Sequence, residues 1–153
     1  MNWDTYFENL LPHIASKSKD TTKTSAIIVG QSNEIRSTGY NGFPRGFDDN
    51  DEAKFLRPEK YLWTEHSERN AIYNGARMGT VLNDCIIYVS HFPCIDCARA
   101  IVQSGIKRVV LSDKNLEAFS DVNHKYYGDA ERIQLLFNVC GIKLDIYEGS
   151  KIM

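Results

Sequence analysis

Three glycines punctuate the second half of the chain, and each closes a helical segment shortly before an apolar run. Residues 66–78 read as a helix ended by Gly79, ahead of the apolar stretch Cys85–Val89. Residues 94–104 read as a second helix, opened by Pro93 and stopped by Gly105, ahead of Arg108–Leu111. Asp129–Cys140 is helical in pattern, Gly141 stops it, and Ile142–Tyr147 follows as a last strand. Repetition of this kind predicts parallel strands joined by right-handed crossovers, with helices on both faces of the sheet.

The first half adds two elements. Trp3, Tyr6, Phe7, Leu10, Leu11 and Ile14 recur at helical spacing over residues 2–18. Ser25–Gly30 and Glu34–Tyr40 then read as a hairpin joined by Gln31-Ser32-Asn33, the one pair that must be antiparallel. The expected architecture is an α/β fold, a three-layer α/β/α domain around a five-stranded mixed sheet. The 153 residues suffice for a single domain over 1–153 with one continuous core. Only Asn41–Trp63 resists assignment. It is long for a loop in a compact domain, so it is functional or mobile, and its charges between Asp48 and Lys60 read as a solvated face.

Charge and hydropathy then remove whole classes of function. A formal net charge of -2 gives no general basic footprint for a nucleic-acid backbone, so no polynucleotide partner is expected. No apolar run approaches the roughly 20 residues of a membrane span. Met1-Asn2-Trp3-Asp4 lacks the basic start and apolar stretch of a secretion signal, and the expected location is cytoplasmic. Thiols stay reduced there, so closely spaced cysteines more often hold metal than form bridges.

Two segments carry chemistry. His66-Ser67-Glu68 opens one helix and Pro93-Cys94-Ile95-Asp96-Cys97 opens another. Helix N-termini offer free N–H groups and partial positive charge, which favour thiolates. Cys94 and Cys97, three apart, present both sulfurs on one side of the first turn. With His66 they make three ligands for zinc and leave the fourth tetrahedral position to water, as catalytic sites do. Glu68, two residues from that histidine, is better cast as general acid/base than as a fourth ligand.

An H-x-E followed by P-C-x-x-C is the signature of the zinc-dependent deaminases. More of the chain resembles deoxycytidylate deaminases in particular. Ser18-Lys19-Asp20, Gly39-Tyr40-Asn41-Gly42-Phe43-Pro44, Phe92-Pro93-Cys94, Gln103-Ser104-Gly105-Ile106-Lys107 and Leu135-Leu136-Phe137-Asn138 are similar to segments of that family, across most of residues 16–141. The resemblance implies a cytidine-deaminase fold, conversion of dCMP to dUMP and one catalytic Zn2+. It also implies a homo-oligomer acting on a small nucleotide, often controlled by dCTP with Mg2+ (activating) and by dTTP (inhibiting). Ser67 departs from the family's usual alanine. Asp48–Trp63 holds neither His nor Cys, so the second, structural zinc of some members is not expected.

The family position matching Asn41 reaches the sugar, and its amide offers both donor and acceptor. Asn41-Gly42 is equally an ordinary turn pair. Phe92 is a candidate to pack on the pyrimidine or simply belongs to the core. Lys17 and Lys19 are phosphate partners on charge alone. Cys85 and Cys140 read as inert buried thiols; His13, His91 and His124 lack ligand-spaced partners. Tyr126 and Tyr127 lie in a polar connection that either approaches the pocket or simply packs at an edge. Two rivals stay open: a deaminase of another nucleoside, nucleobase or tRNA adenosine, and a catalytically silent zinc-binding, nucleotide-sensing module.

Overall fold

A computed structural model describes residues 1–112, 122–123 and 127–147. Helix α1 spans Trp3–Ala15, strand β1 Ser25–Val29 and strand β2 Ile35–Tyr40. A 3-10 turn at Glu52–Phe55 and the short helix α2, Lys60–Trp63, interrupt the irregular segment. Then follow α3 (Ser67–Met78), β3 (Ile86–Val89), α4 (Ile95–Gln103), β4 (Arg108–Ser112), α5 (Tyr127–Val139) and β5 (Lys143–Tyr147). His124 and Tyr126 lie outside the described residues, as does the side chain of Tyr127.

The five strands form one mixed sheet in the order β2-β1-β3-β4-β5. β3, β4 and β5 are parallel neighbours, as the helical crossovers predict. The hairpin is antiparallel, and β1 also pairs antiparallel with β3. β2 and β3 still run the same way, but β1 lies between them. Two antiparallel pairs therefore appear where the hairpin alone was certain to be one.

Alternation along the strands sorts the core into two layers. Ile27, Val29, Tyr88 and Val110 face Phe7 and Leu11 of α1. Ala26, Ile28, Ile87, Val89, Val109 and Leu111 face the other way, onto Ala71 of α3, Ala98 and Ile101 of α4, and Ala130, Ile133 and Phe137 of α5. Helices thus cover both faces of the sheet. α1 is also latched by polar contacts: Asp4 accepts hydrogen bonds from Tyr88 (2.6 Å) and from both terminal nitrogens of Arg108 (3.0 and 2.8 Å). No helix among the described residues is long and apolar enough to cross a membrane.

Two expectations need correction. Cys140, read as buried, is exposed, because it lies beyond the end of α5, where the helix no longer packs it on the sheet; Cys85 is buried as expected. The charges between Asp48 and Lys60 are not all solvated. Lys60 reaches inward to Asp20 at 2.9 Å, with side chains only 9% and 1% exposed. Beside them the aromatic rings of the segment pack on one another: Phe43 stacks on Phe55 (centroids 4.3 Å apart) and Phe47 on Trp63 (4.9 Å).

Candidate active site

The site lies where β2 and β3 end and the helices that follow them begin, the edge at which open α/β sheets collect ligands. One residue lets α3 approach so closely. A Cβ on Gly39 of β2 would lie 2.3 Å from the Ser67 carbonyl oxygen and 2.4 Å from the Ala71 nitrogen. Only glycine allows the first turn of α3 to rest on the strand. The entry to α3 is fixed by a second backbone contact, in which Gly42 and Glu65 exchange hydrogen bonds of 3.1 and 2.8 Å.

His66 then occupies the N-cap of α3 in extended conformation, but its side chain makes no capping bond. The imidazole turns instead toward α4. Cys94 is the N-cap of α4, and its sulfur accepts the Cys97 N–H at 3.5 Å. His66 Nδ1 lies 3.4 Å from Cys94 Sγ and 3.5 Å from Cys97 Sγ, and the three donor atoms all fall within 4.8 Å of one another. Zinc bonds of about 2.3 Å to sulfur and 2.0–2.1 Å to nitrogen, at a tetrahedral angle, separate N and S by about 3.6 Å. The triangle therefore fits a tetrahedral zinc with one corner left over.

The electrostatics suit a cation. Cys94 is held well below the ordinary thiol range by the hydrogen bonds from Cys97 and His66, against the opposing effect of burial. Cys97, sharing that proton, is pushed the other way. His66 is raised by its contact with Cys94. A cation bound there would displace those protons, since zinc takes thiolate and neutral imidazole. Arg69 ties the two motif helices together, pairing with Glu65 and lying 3.7 Å from Asp96 of α4.

Glu68 projects into the same corner, 5% exposed, with Oε2 3.5 Å from Cys97 Sγ and 3.4 Å from Ser67 Oγ. Burial raises its carboxyl above the usual carboxylate range, with the nearby His66 pulling the other way. A carboxyl beside the three donors, its neutral form favoured by burial, is placed to take and return a proton.

His66, Glu68, Cys94 and Cys97 thus come together from two motifs. The remaining candidates lie around them. Asn41 is 7% exposed; its Oδ1 accepts from Thr24 N (2.9 Å) and its Nδ2 donates to Thr22 O (2.8 Å), leaving one further lone pair and one further hydrogen. Phe92 is 8% exposed and packs in the main core layer. Lys19 forms an exposed ion pair with Asp49 at 2.8 Å, and Lys17 is exposed just after α1. Among the described residues neither lysine bonds to the four-residue cluster. Sequence reasoning missed Gly39, Thr24 and the Lys60–Asp20 pair. Their only sequence signal is a glycine inside a strand pattern, which hints at close backbone approach.

Comparison with known proteins agrees with this geometry. Residues 1–113 match the model of the cytidine and deoxycytidylate deaminase zinc-binding region. Human deoxycytidylate deaminase is 35% identical over 149 residues, spanning 93% of this chain and 78% of that protein. The crystal structure of dCMP deaminase from the cyanophage S-TIM5 superposes with a TM-score of 0.70 at 21% identity, covering 94% of this chain and 96% of its own. A structure from work on A-to-I editing by tRNA:A34 deaminases superposes at 0.51 with 18% identity, covering 95% of this chain and 98% of its own. Fold alone is thus shared by deaminases of different substrates.

Proposed function

The chain belongs to the cytidine and deoxycytidylate deaminase family, and from that premise we propose that it hydrolyses dCMP to dUMP and ammonia. His66, Cys94 and Cys97 would hold one Zn2+, which when bound lowers the pKa of a coordinated water toward about 7. The observation that carries the reading is the buried Glu68 set against this three-donor triangle.

Glu68 takes a proton from the attacking water and delivers it to N3 of cytosine as the new C4–O bond forms. It then passes the second proton to the 4-amino group, which leaves as ammonia while the C4=O bond closes. The carboxylate ends as it began. Its burial favours the protonated form, which helps the carboxylate accept the proton that it then passes on. Asn41 contacts the sugar through its spare valences, Phe92 borders the base, and Lys19 or Lys17 meets the 5′-phosphate. The chain works as one deaminase domain over 1–153, in the cytoplasm, as a homo-oligomer, with Mg2+-dCTP as an activating effector.

The deciding measurement is ammonia release by the zinc-loaded protein from a panel of dCMP, deoxycytidine, cytosine, adenosine and guanine. Turnover of dCMP that falls sharply when the 5′-phosphate is removed supports the proposal. Turnover of a purine instead, or of nothing, overturns it.

A further inference from the structure

One hydroxyl in the site is unexplained by metal binding or by the shuttle itself. Ser67 stands between His66 and Glu68 on the first turn of α3 and is fully buried. Its Oγ accepts a hydrogen bond from Thr24 Oγ1 at 3.1 Å and donates to Glu68 Oε2 at 3.4 Å. Thr24 is itself held from behind, its N–H bonded to Asn41 Oδ1 at 2.9 Å. A line of hydrogen bonds therefore runs from the end of β2, across the residue before β1, to the carboxylate: Asn41, Thr24, Ser67, Glu68.

Apart from the residue's own backbone amide, the other donor to Glu68 is the Cys97 thiol, at 3.5 Å. That S–H is absent once Cys97 ligates a metal as thiolate. The Ser67 hydroxyl is then the side-chain donor left to Oε2 among the described residues. From this geometry we infer that Ser67, backed by Thr24, is a positioning residue that fixes the orientation of the Glu68 carboxylate in the loaded enzyme. The inference rests on the deaminase reading above. Ser67 touches no reacting atom. It acts by restricting a side chain whose usefulness depends on its angle to the attacking water and to N3.

Two arms test this, using the zinc-loaded full chain. In the first, Ser67→Ala lowers kcat on dCMP about tenfold while KM stays within about twofold. Zinc content stays at the wild-type value and the midpoint of thermal unfolding moves by no more than about 2 °C. Thr24→Val gives a smaller loss of kcat, Thr24→Ser restores it, and Ser67→Ala combined with Thr24→Val is no worse than Ser67→Ala alone, as expected of one chain of bonds. An unchanged kcat in Ser67→Ala, or a loss explained by lost zinc or lost stability, overturns the inference. The second arm needs no substrate. Crystal structures of zinc-loaded wild type and Ser67→Ala should show the Glu68 carboxylate displaced or in two conformers in the variant alone. An identical, single Glu68 conformer in both overturns it. Should wild type fail to turn over dCMP, the substrate reading falls, and the crystallographic arm still decides on Ser67.

Discussion

The metal-binding corner and the segment over residues 43–63 are built in opposite ways. The corner is assembled from backbone. Two helix N-termini rise from the ends of β2 and β3, α3 rests on a strand where no Cβ intervenes, and Gly42 and Glu65 lock its entry. The segment has almost no regular structure of its own and is fastened by side chains: two ring stacks and one buried ammonium–carboxylate pair. Backbone-built sites hold reacting groups to fractions of an ångström, whereas side-chain anchors hold a loop in place but leave it cheap to alter. Changes in the corner should therefore be read in turnover, and changes in the segment in stability.

Glu68→Gln is the sharpest form of the first half. It should keep zinc and fold yet lower kcat by about 10²–10⁴. Metal analysis beside steady-state kinetics checks it, and near-normal turnover would remove Glu68 from the shuttle. Lys60→Met is the counterpart for the second half. It strands the Asp20 carboxylate, one oxygen of which already lacks a hydrogen-bond partner. A loss of about 3 kcal/mol in unfolding free energy is expected, with zinc content unchanged. The double variant Lys60→Met/Asp20→Leu should recover part of it. If zinc is lost instead, the two regions are not separable.

Gly39→Ala tests the joint between them. A clash at 2.3 Å with the Ser67 carbonyl must push α3 off the strand. About 2 kcal/mol of stability should go, together with a measurable weakening of zinc affinity, because His66 rides on the displaced turn. Stability lost without any change in metal binding would mean that α3 relaxes elsewhere.

The smallest expected effect is on the acid side of the pH–stability curve. Asp4 is held below the ordinary carboxylate range by the hydrogen bond from Arg108. Asp20 is also lowered: burial opposes its charge, but the Thr22 N–H and the Lys60 ammonium outweigh it. Lowered folded-state values mean stability that is full above the unfolded value of about 3.9 and fades as pH falls through the folded one. Denaturant midpoints should be flat near pH 6 and drop below about pH 4, and Asp4→Asn should make that drop shallower. An unaltered slope in the variant would count against the Asp4–Arg108 latch.

How much of this was legible in the sequence follows from the same contrast. His66, Glu68, Cys94 and Cys97 could be picked out because ligand chemistry demands those residue types at those spacings, and a helix N-terminus can be read from Pro93 and from the periodicity after Ser67. Helix ends and strands after residue 63 were recoverable to within a residue or two, since Gly79 takes the left-handed backbone of a helix C-cap with φ of 68°, whereas the first helix, read over 2–18, stops at Ala15. Strand order was not, because periodicity carries no information on which neighbours pair. Lys60 and Asp20 are 40 residues apart and each is ordinary alone, so nothing local marks them as partners. Thr24 and Ser67, 43 apart, were hidden for the same reason.

The placement of β1 between β2 and β3 has one last effect. Because β1 runs against its neighbours, it starts at the edge where they finish, with Ser25 opposite Tyr40 and Ser90 donating its N–H to Ser25 O at 3.0 Å. The stretch just ahead of β1 comes to lie against the first turn of α3, where Thr24 bonds to Ser67, though it contributes nothing to either motif. Variation at residues 22–25, far from the signature in the chain, is variation in the bed on which the chemistry sits.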